Sequence, residues 1–249
     1  MIDPIEQFHI EKIFTIGHIG NQEIAFTNSS AYMFSAVALI SLLMIGGVAG
    51  KQMVPGRIQS VAEITYEFLA STVRGNAGAE GMKFFPLVFS IFMFICVSNV
   101  IGIIPYAFTV SSQLIVTGAM ALFVFFLVLF YGLYRNGLKF FKLFVPSGVP
   151  IFIMPIVVPI EVISFLLKPI SHSVRLFANM LAGHIALKVF ASFIVMLGAL
   201  GILGVFGAVL PLGLTIALTA LELLVAFLQA YVFAILTCIY LNDALHPGH

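Results

Sequence analysis

Residues 31–49 read AYMFSAVALISLLMIGGVA, nineteen positions without a charge. At 1.5 Å per residue, about 20 such residues cross the roughly 30 Å hydrocarbon layer of a bilayer. The run therefore has spanning length, and its neighbours repeat the pattern. Residues 84–104 (FFPLVFSIFMFICVSNVIGII) and 114–134 (LIVTGAMALFVFFLVLFYGLY) are also uncharged. A soluble chain needs charge on about a quarter of its residues, whereas only 8% are charged here and 61% are hydrophobic. The mean hydropathy of +1.17 agrees. The expected fold is an all-α integral membrane protein with about five membrane helices plus an amphipathic connector.

That connector is 51–83, with Lys51, Arg57, Glu63, Glu67, Arg74, Glu80 and Lys83. Its middle, RIQSVAEITYEFLASTV, carries apolar residues at helical spacing, which suits an interfacial helix. Basic residues near span ends orient a membrane chain. The connector has four cations and the 135–150 loop three, whereas 105–113 (PYAFTVSSQ) has none. Both basic loops are assigned to the cytoplasm, the N-terminal segment 1–30 to the outside and the C-terminus to the inside. The N-terminus lacks a basic region followed by an apolar core, so neither a signal peptide nor an Arg-rich presequence is expected.

The last hundred residues do not divide into upright spans. Ile151 to Lys188 would measure about 57 Å as helix, and the stretch after it is broken by GALGILGVFGAVLPLG, 198–213. Two long, strongly tilted helices joined by a Gly/Pro-rich bend are expected over 151–242, within one membrane domain covering 1–249.

A few polar residues interrupt this apolar half. Glu161, Lys168 and Arg175 are spaced by seven and seven, with Asn179 four further on. At about 100° per residue they share one face, and His184 lies opposite. Glu222 and Gln229, also seven apart, share a face of the second helix. A charge at mid-membrane costs about 2.5–3.5 kcal/mol. Lys168 and Lys188 can escape by snorkelling, and Glu161 by an interfacial position or by pairing with Lys168. Arg175 has its nearest acid on its own helix about 21 Å away, so its partner is expected on another helix or chain. His184 and Glu222 meet if the two helices run antiparallel, and a histidine that titrates near neutrality then suits proton passage. Pro169 leaves the Phe165 carbonyl without its helical donor, a gap that Ser171 or Ser173 can fill.

Other chemistries find no support. The near-neutral charge, +1, gives no reason to expect nucleic acid, and Cys96 and Cys238 read as small buried hydrophobes. No zinc spacing, phosphate-binding glycine loop or nucleophile elbow occurs, so no metal or cofactor is expected. A secondary transporter would show internal repeats with matched broken helices, and a structural anchor would not need Arg175.

PISHSVRLFANMLAGHIALKVF (169–190) together with ALELLVAFLQAYVFAILTCIYLNDA (220–244) resembles the a-subunit family of the F-type ATP synthase membrane sector. SNVIGIIPY (98–106) and the acidic N-terminus extend the likeness over nearly the whole chain. The resemblance implies a stator that is not catalytic alone, facing a rotating ring of c subunits. It also implies b-type peripheral-stalk partners, indirect contact with the soluble F1 sector, and the bacterial inner membrane in preference to the mitochondrial one. The family's essential arginine matches Arg175, with Asn179 and Gln229 as its polar neighbours. His184 and Glu222 match the outward half-channel, Glu161 and Ser171 the inward one. Many bacterial members carry an acid at the position of His184 and a histidine at that of Glu222. The arrangement here is the one typical of mitochondria and of bacteria close to them.

Overall fold

A computed structural model describes residues 8–19, 22–49, 54–104, 107–145, 150 and 152–246. Parts of the 1–30, 51–83 and 135–150 segments, the dipeptide at 105–106 and the last three residues lie outside that range. The order is a hairpin of β1 (Lys12–Ile19) and β2 (Gln22–Thr27), then α1 (Asn28–Ala49), α2 (Arg57–Gly81), α3 (Phe85–Ile103), α4 (Leu114–Asn136), α5 (Met154–Gly198) and α6 (Ile202–Leu245). Among the described residues five helical segments are long and apolar enough to cross a membrane, as expected, with α2 and α3 forming one of them.

The outward faces explain the composition. Along α1, Phe34, Val37, Leu42, Ile45 and Val48 are exposed. Such a surface is tolerable only where the solvent is itself apolar. The inward faces are narrow and regular: α4 buries Thr117, Ala121, Val124, Val128 and Gly132, a stripe at three- and four-residue spacing that keeps to one side of a helix.

The hairpin was not expected, because the N-terminal segment was read without strands. Its two strands pair antiparallel, and the sequences KIFTIGHI and QEIAFT are rich in the β-branched and aromatic residues that suit strands. Lys12 pairs with Glu23 on its surface and holds that carboxyl below its usual range. Being exposed, the pair adds little stability. The join to α1 is more firmly made. Thr27 Oγ1 accepts the Ser30 N–H at 3.4 Å, an N-cap bond that satisfies a donor the helix cannot. Asn28 Nδ2 donates to the His9 carbonyl at 3.0 Å, and Asn28 Oδ1 accepts the Glu11 N–H at 3.3 Å.

α5 and α6 contain 45 and 44 residues, so each is about 66 Å long, twice a bilayer core. The break between them is shorter than expected. Only residues 199–201 leave the helix, and Gly204, Gly207, Pro211 and Gly213 lie inside α6. Gly201 makes the turn at φ 82°, a left-handed conformation that costs a side-chain-bearing residue about 1–2 kcal/mol. Pro159 and Pro169 stay within α5.

The chain groups into two compact units, one of Met1–Ile40, Phe94–Gln113 and Leu176–Gln229, the other of Ser41–Met93, Leu114–Arg175 and Ala230–His249. The second is tied by polar links as well as aromatic packing. Asn136 Nδ2 donates to the Ala244 carbonyl at 2.6 Å, satisfying an acceptor at the end of α6. Arg135 meets Glu80 at 2.6 Å. Lys168 Nζ lies 3.1 Å from Asp243 Oδ2 and 4.7 Å from the Tyr240 ring centroid. The expected pairing of Lys168 with Glu161 is therefore replaced by one across 75 residues of sequence. Ser173 does not turn back to the backbone either; its hydroxyl meets Thr117 Oγ1 at 3.1 Å.

Candidate functional site

The first unit has a polar centre. His184 on α5 and Glu222 on α6 are 6% and 5% exposed, with Nδ1 3.4 Å from Oε1. The antiparallel contact expected from the sequence is thus present. At 3.4 Å it is longer than a strong charge-assisted bond, and neither Glu222 oxygen has a hydrogen-bond partner among the described residues. The other imidazole nitrogen, Nε2, lies 3.0 Å from Thr109 Oγ1. Both ring nitrogens are therefore addressed, one by a carboxylate and one by a hydroxyl. A ring held in this way can take a proton at one nitrogen and release one at the other.

Close backbone approach makes the contact possible. A Cβ built on Gly183 would stand 2.8 Å from Glu222 Oε1 and 3.3 Å from its Cδ. Gly183→Ala should push the carboxylate away from His184. In the structure of that variant we expect the Nδ1–Oε1 distance to exceed the 3.4 Å seen here. An unchanged distance would show that the small residue at 183 does not set the contact.

Three polar residues around the pair escaped the sequence reading. Thr109 and Asn99 are fully buried and Ser111 nearly so. Ser111 Oγ donates to Asn99 Oδ1 at 2.6 Å, and Asn99 Nδ2 donates to the Ala226 carbonyl at 3.2 Å. For Thr109 and Ser111 the signal was present in PYAFTVSSQ, whose hydroxyl and amide residues are unneeded in a mere link; Asn99 lies on α3. In apolar surroundings each would cost free energy unless bonded, so a cluster of them marks a polar interior.

A second feature lies along α5. Ser171, Arg175 and Asn179 are all exposed and fall four residues apart, on one face. Hydrophobic Ile170, Val174 and Leu167 beside them are exposed too. Among the described residues no acid pairs with Arg175. Gln229 is half-buried, as are Glu161 and Lys188. On the neighbouring turn His172 is buried, its ring 3.9 Å from that of Phe233. Groups of His, Cys, Asp and Glu able to hold a metal are absent among the described residues.

Comparison with known proteins supports the family expected from the sequence. The family model for the ATP synthase A chain matches residues 30–242. ATP synthase subunit a of Rhodopseudomonas palustris (strain BisB18) is 80% identical over 249 residues, all of both chains. That of R. palustris (strain BisB5) is 79% identical over 247 residues, 99% of each. In Nitrobacter winogradskyi (strain ATCC 25391 / DSM 10237 / CIP 104748 / NCIMB 11846 / Nb-255), ATP synthase subunit a is 75% identical over 249 residues, again all of both. With the family model matched over residues 30–242 and relatives this similar over nearly the whole length, the chain belongs to the ATP synthase A chain family.

Proposed function

We propose that the chain is the proton-translocating stator of the F-type ATP synthase membrane sector, working against a ring of c subunits that each carry a carboxylate. The observation that carries this reading is the exposed Ser171–Arg175–Asn179 face. A permanent cation left in lipid costs about 2.5–3.5 kcal/mol, and a ring carboxylate arriving opposite Arg175 removes that cost. The chain itself makes and breaks no bond of ATP; that chemistry belongs to the soluble F1 sector.

The cycle follows from electrostatics. A ring carboxylate facing lipid must be protonated, because an anion there is too costly. Beside Arg175 the opposite charge favours the anion, so the proton leaves. It departs through one half-channel, and another proton arrives from a second, offset half-channel before the site returns to lipid. His184 and Glu222 line the outward half-channel, Glu161 and Ser171 the inward one. Asn179 and Gln229 hold the polar surroundings of Arg175. Arginine suits the position because its guanidinium stays charged in apolar surroundings, and that fixed charge repels protons from the direct path between half-channels. Each proton delivers about 2.3 kcal/mol per 100 mV crossed.

In this reading residues 1–249 form one membrane domain of the bacterial inner membrane. The segment 1–30 and the N-terminus lie in the periplasm, the C-terminus in the cytoplasm, and the hairpin 151–242 faces the ring. Peripheral-stalk subunits of the b type hold the domain still. Isolation in mild detergent tests the assembly: the chain should come away with a ring subunit and soluble ATPase subunits. Recovery of the chain alone, with proton transport of its own, would overturn the stator reading in favour of a self-contained transporter.

A further inference from the structure

The N-terminal segment does not simply precede the first membrane helix. Phe8 lies against the polar centre, its ring centroid 6.2 Å from that of His184 at an interplanar angle of 63°. On the next turn of α5, Lys188 Nζ stands 6.0 Å from the same ring, so Phe8 covers the His184–Lys188 ridge. Its backbone is fixed from two sides. Gln113 Nε2 donates to the Phe8 carbonyl at 3.0 Å, and Asn28 holds the adjoining His9 and Glu11. The hairpin then ties that strand to the start of α1.

The chemistry of this placement is specific. Nδ1 and Nε2 of His184 are turned to Glu222 and Thr109, whereas the ring itself meets an apolar group. A benzene ring on this side excludes water from the imidazole without offering a donor or acceptor of its own. Lys188 offers it a cation–π contact at the outer limit of range, and Gln113 grips the backbone instead of the side chain. The backbone is thus held by hydrogen bonds, while the ring rests on His184 and Lys188 through ring and cation–π contacts.

We propose that Phe8 is a gate on the approach to His184, a positioning residue that controls when water reaches the His184–Glu222 pair, with Gln113 as its latch. This rests on the reading that the pair carries protons. A proton source is then connected only when the Phe8 ring swings away, and the N-terminal segment sets how easily it does so. No step of the carboxylate chemistry passes through Phe8 itself.

The test reads access directly. In the assembled complex with Cys96→Ala and Cys238→Ala, the Thr109→Cys substitution places a thiol beside His184. Its reaction with a membrane-impermeant cationic methanethiosulfonate, added to the N-terminal side of sealed vesicles, reports how open that approach is. Phe8→Ala should raise the labelling rate several-fold, Gln113→Ala should raise it to a lesser degree, and Phe8→Tyr should keep it low. Equal rates with Phe8 and with either alanine variant would overturn the gate, and Gln113→Ala decides alone if Phe8→Ala fails to assemble. Fast labelling with Phe8→Tyr also counts against it. The underlying reading is checked separately by proton flux. If His184→Ala leaves proton-driven ATP synthesis intact, the pair is not on the route, whatever the labelling shows.

Discussion

Arg175→Ala should abolish proton-driven ATP synthesis in inverted membrane vesicles, and Arg175→Lys should leave only a small residue of it. The argument rests on where the guanidinium sits. It is exposed on an apolar helix, in line with Ser171 and Asn179, and no acid among the described residues pairs with it. Its attraction is therefore available to a carboxylate from outside the chain. Without that cation nothing favours release of the ring proton, since an anion in apolar surroundings is disfavoured by several kcal/mol. The ring then stays neutral and stationary. Lysine restores a charge but not the function, because an ammonium loses its proton more readily when desolvated and lacks the planar fork that grips a carboxylate. Recovery of the ring with the purified variant confirms that assembly is intact. Synthesis at the normal rate in Arg175→Ala vesicles would sink the proposed role.

Exchanging the two members of the buried pair should give the second large effect. His184→Glu alone sets two carboxylates where Nδ1 and Oε1 now stand 3.4 Å apart, and like charges that close cannot both ionise. Glu222→His alone removes the acid and leaves two imidazoles. Each single change should slow synthesis by about tenfold or more, equivalent to ~1.4 kcal/mol. The double variant, His184→Glu with Glu222→His, should recover much of that loss. Coupling of this kind is expected only between side chains in contact. Losses that simply add in the double variant would show that the two positions act independently.

The first three spans were legible because each run is long, uncharged and bounded by polar residues. Nothing but length and hydropathy is needed to recognise such a segment. The His184–Glu222 contact was legible for a different reason: two antiparallel helices joined by a bend bring residues that precede it alongside residues that follow it. The extent of the bend was harder to read, since Gly204, Gly207, Gly213 and Pro211 look like breakers yet remain helical. In a membrane helix the alternative to an internal hydrogen bond is none at all, so breakers lose much of their force. The Lys168–Asp243 pair, 75 residues apart, depends on three-dimensional placement that no local pattern encodes. Thr109 and Ser111 were overlooked because uncharged polar residues in a short link attract little notice, and Asn99 because it sits near the end of the apolar α3. The N-terminal strands were overlooked because apolar residues before a spanning run read as part of its approach.

The outward-facing arginine bears on how a cell builds the complex. Under the proposed stator role, a newly made copy of this chain, inserted into the bilayer before its rotor exists, carries an unrelieved charge on its lipid surface. That copy is less stable in the membrane than one docked against a ring, by an amount comparable to the about 2.5–3.5 kcal/mol of a mid-membrane ion.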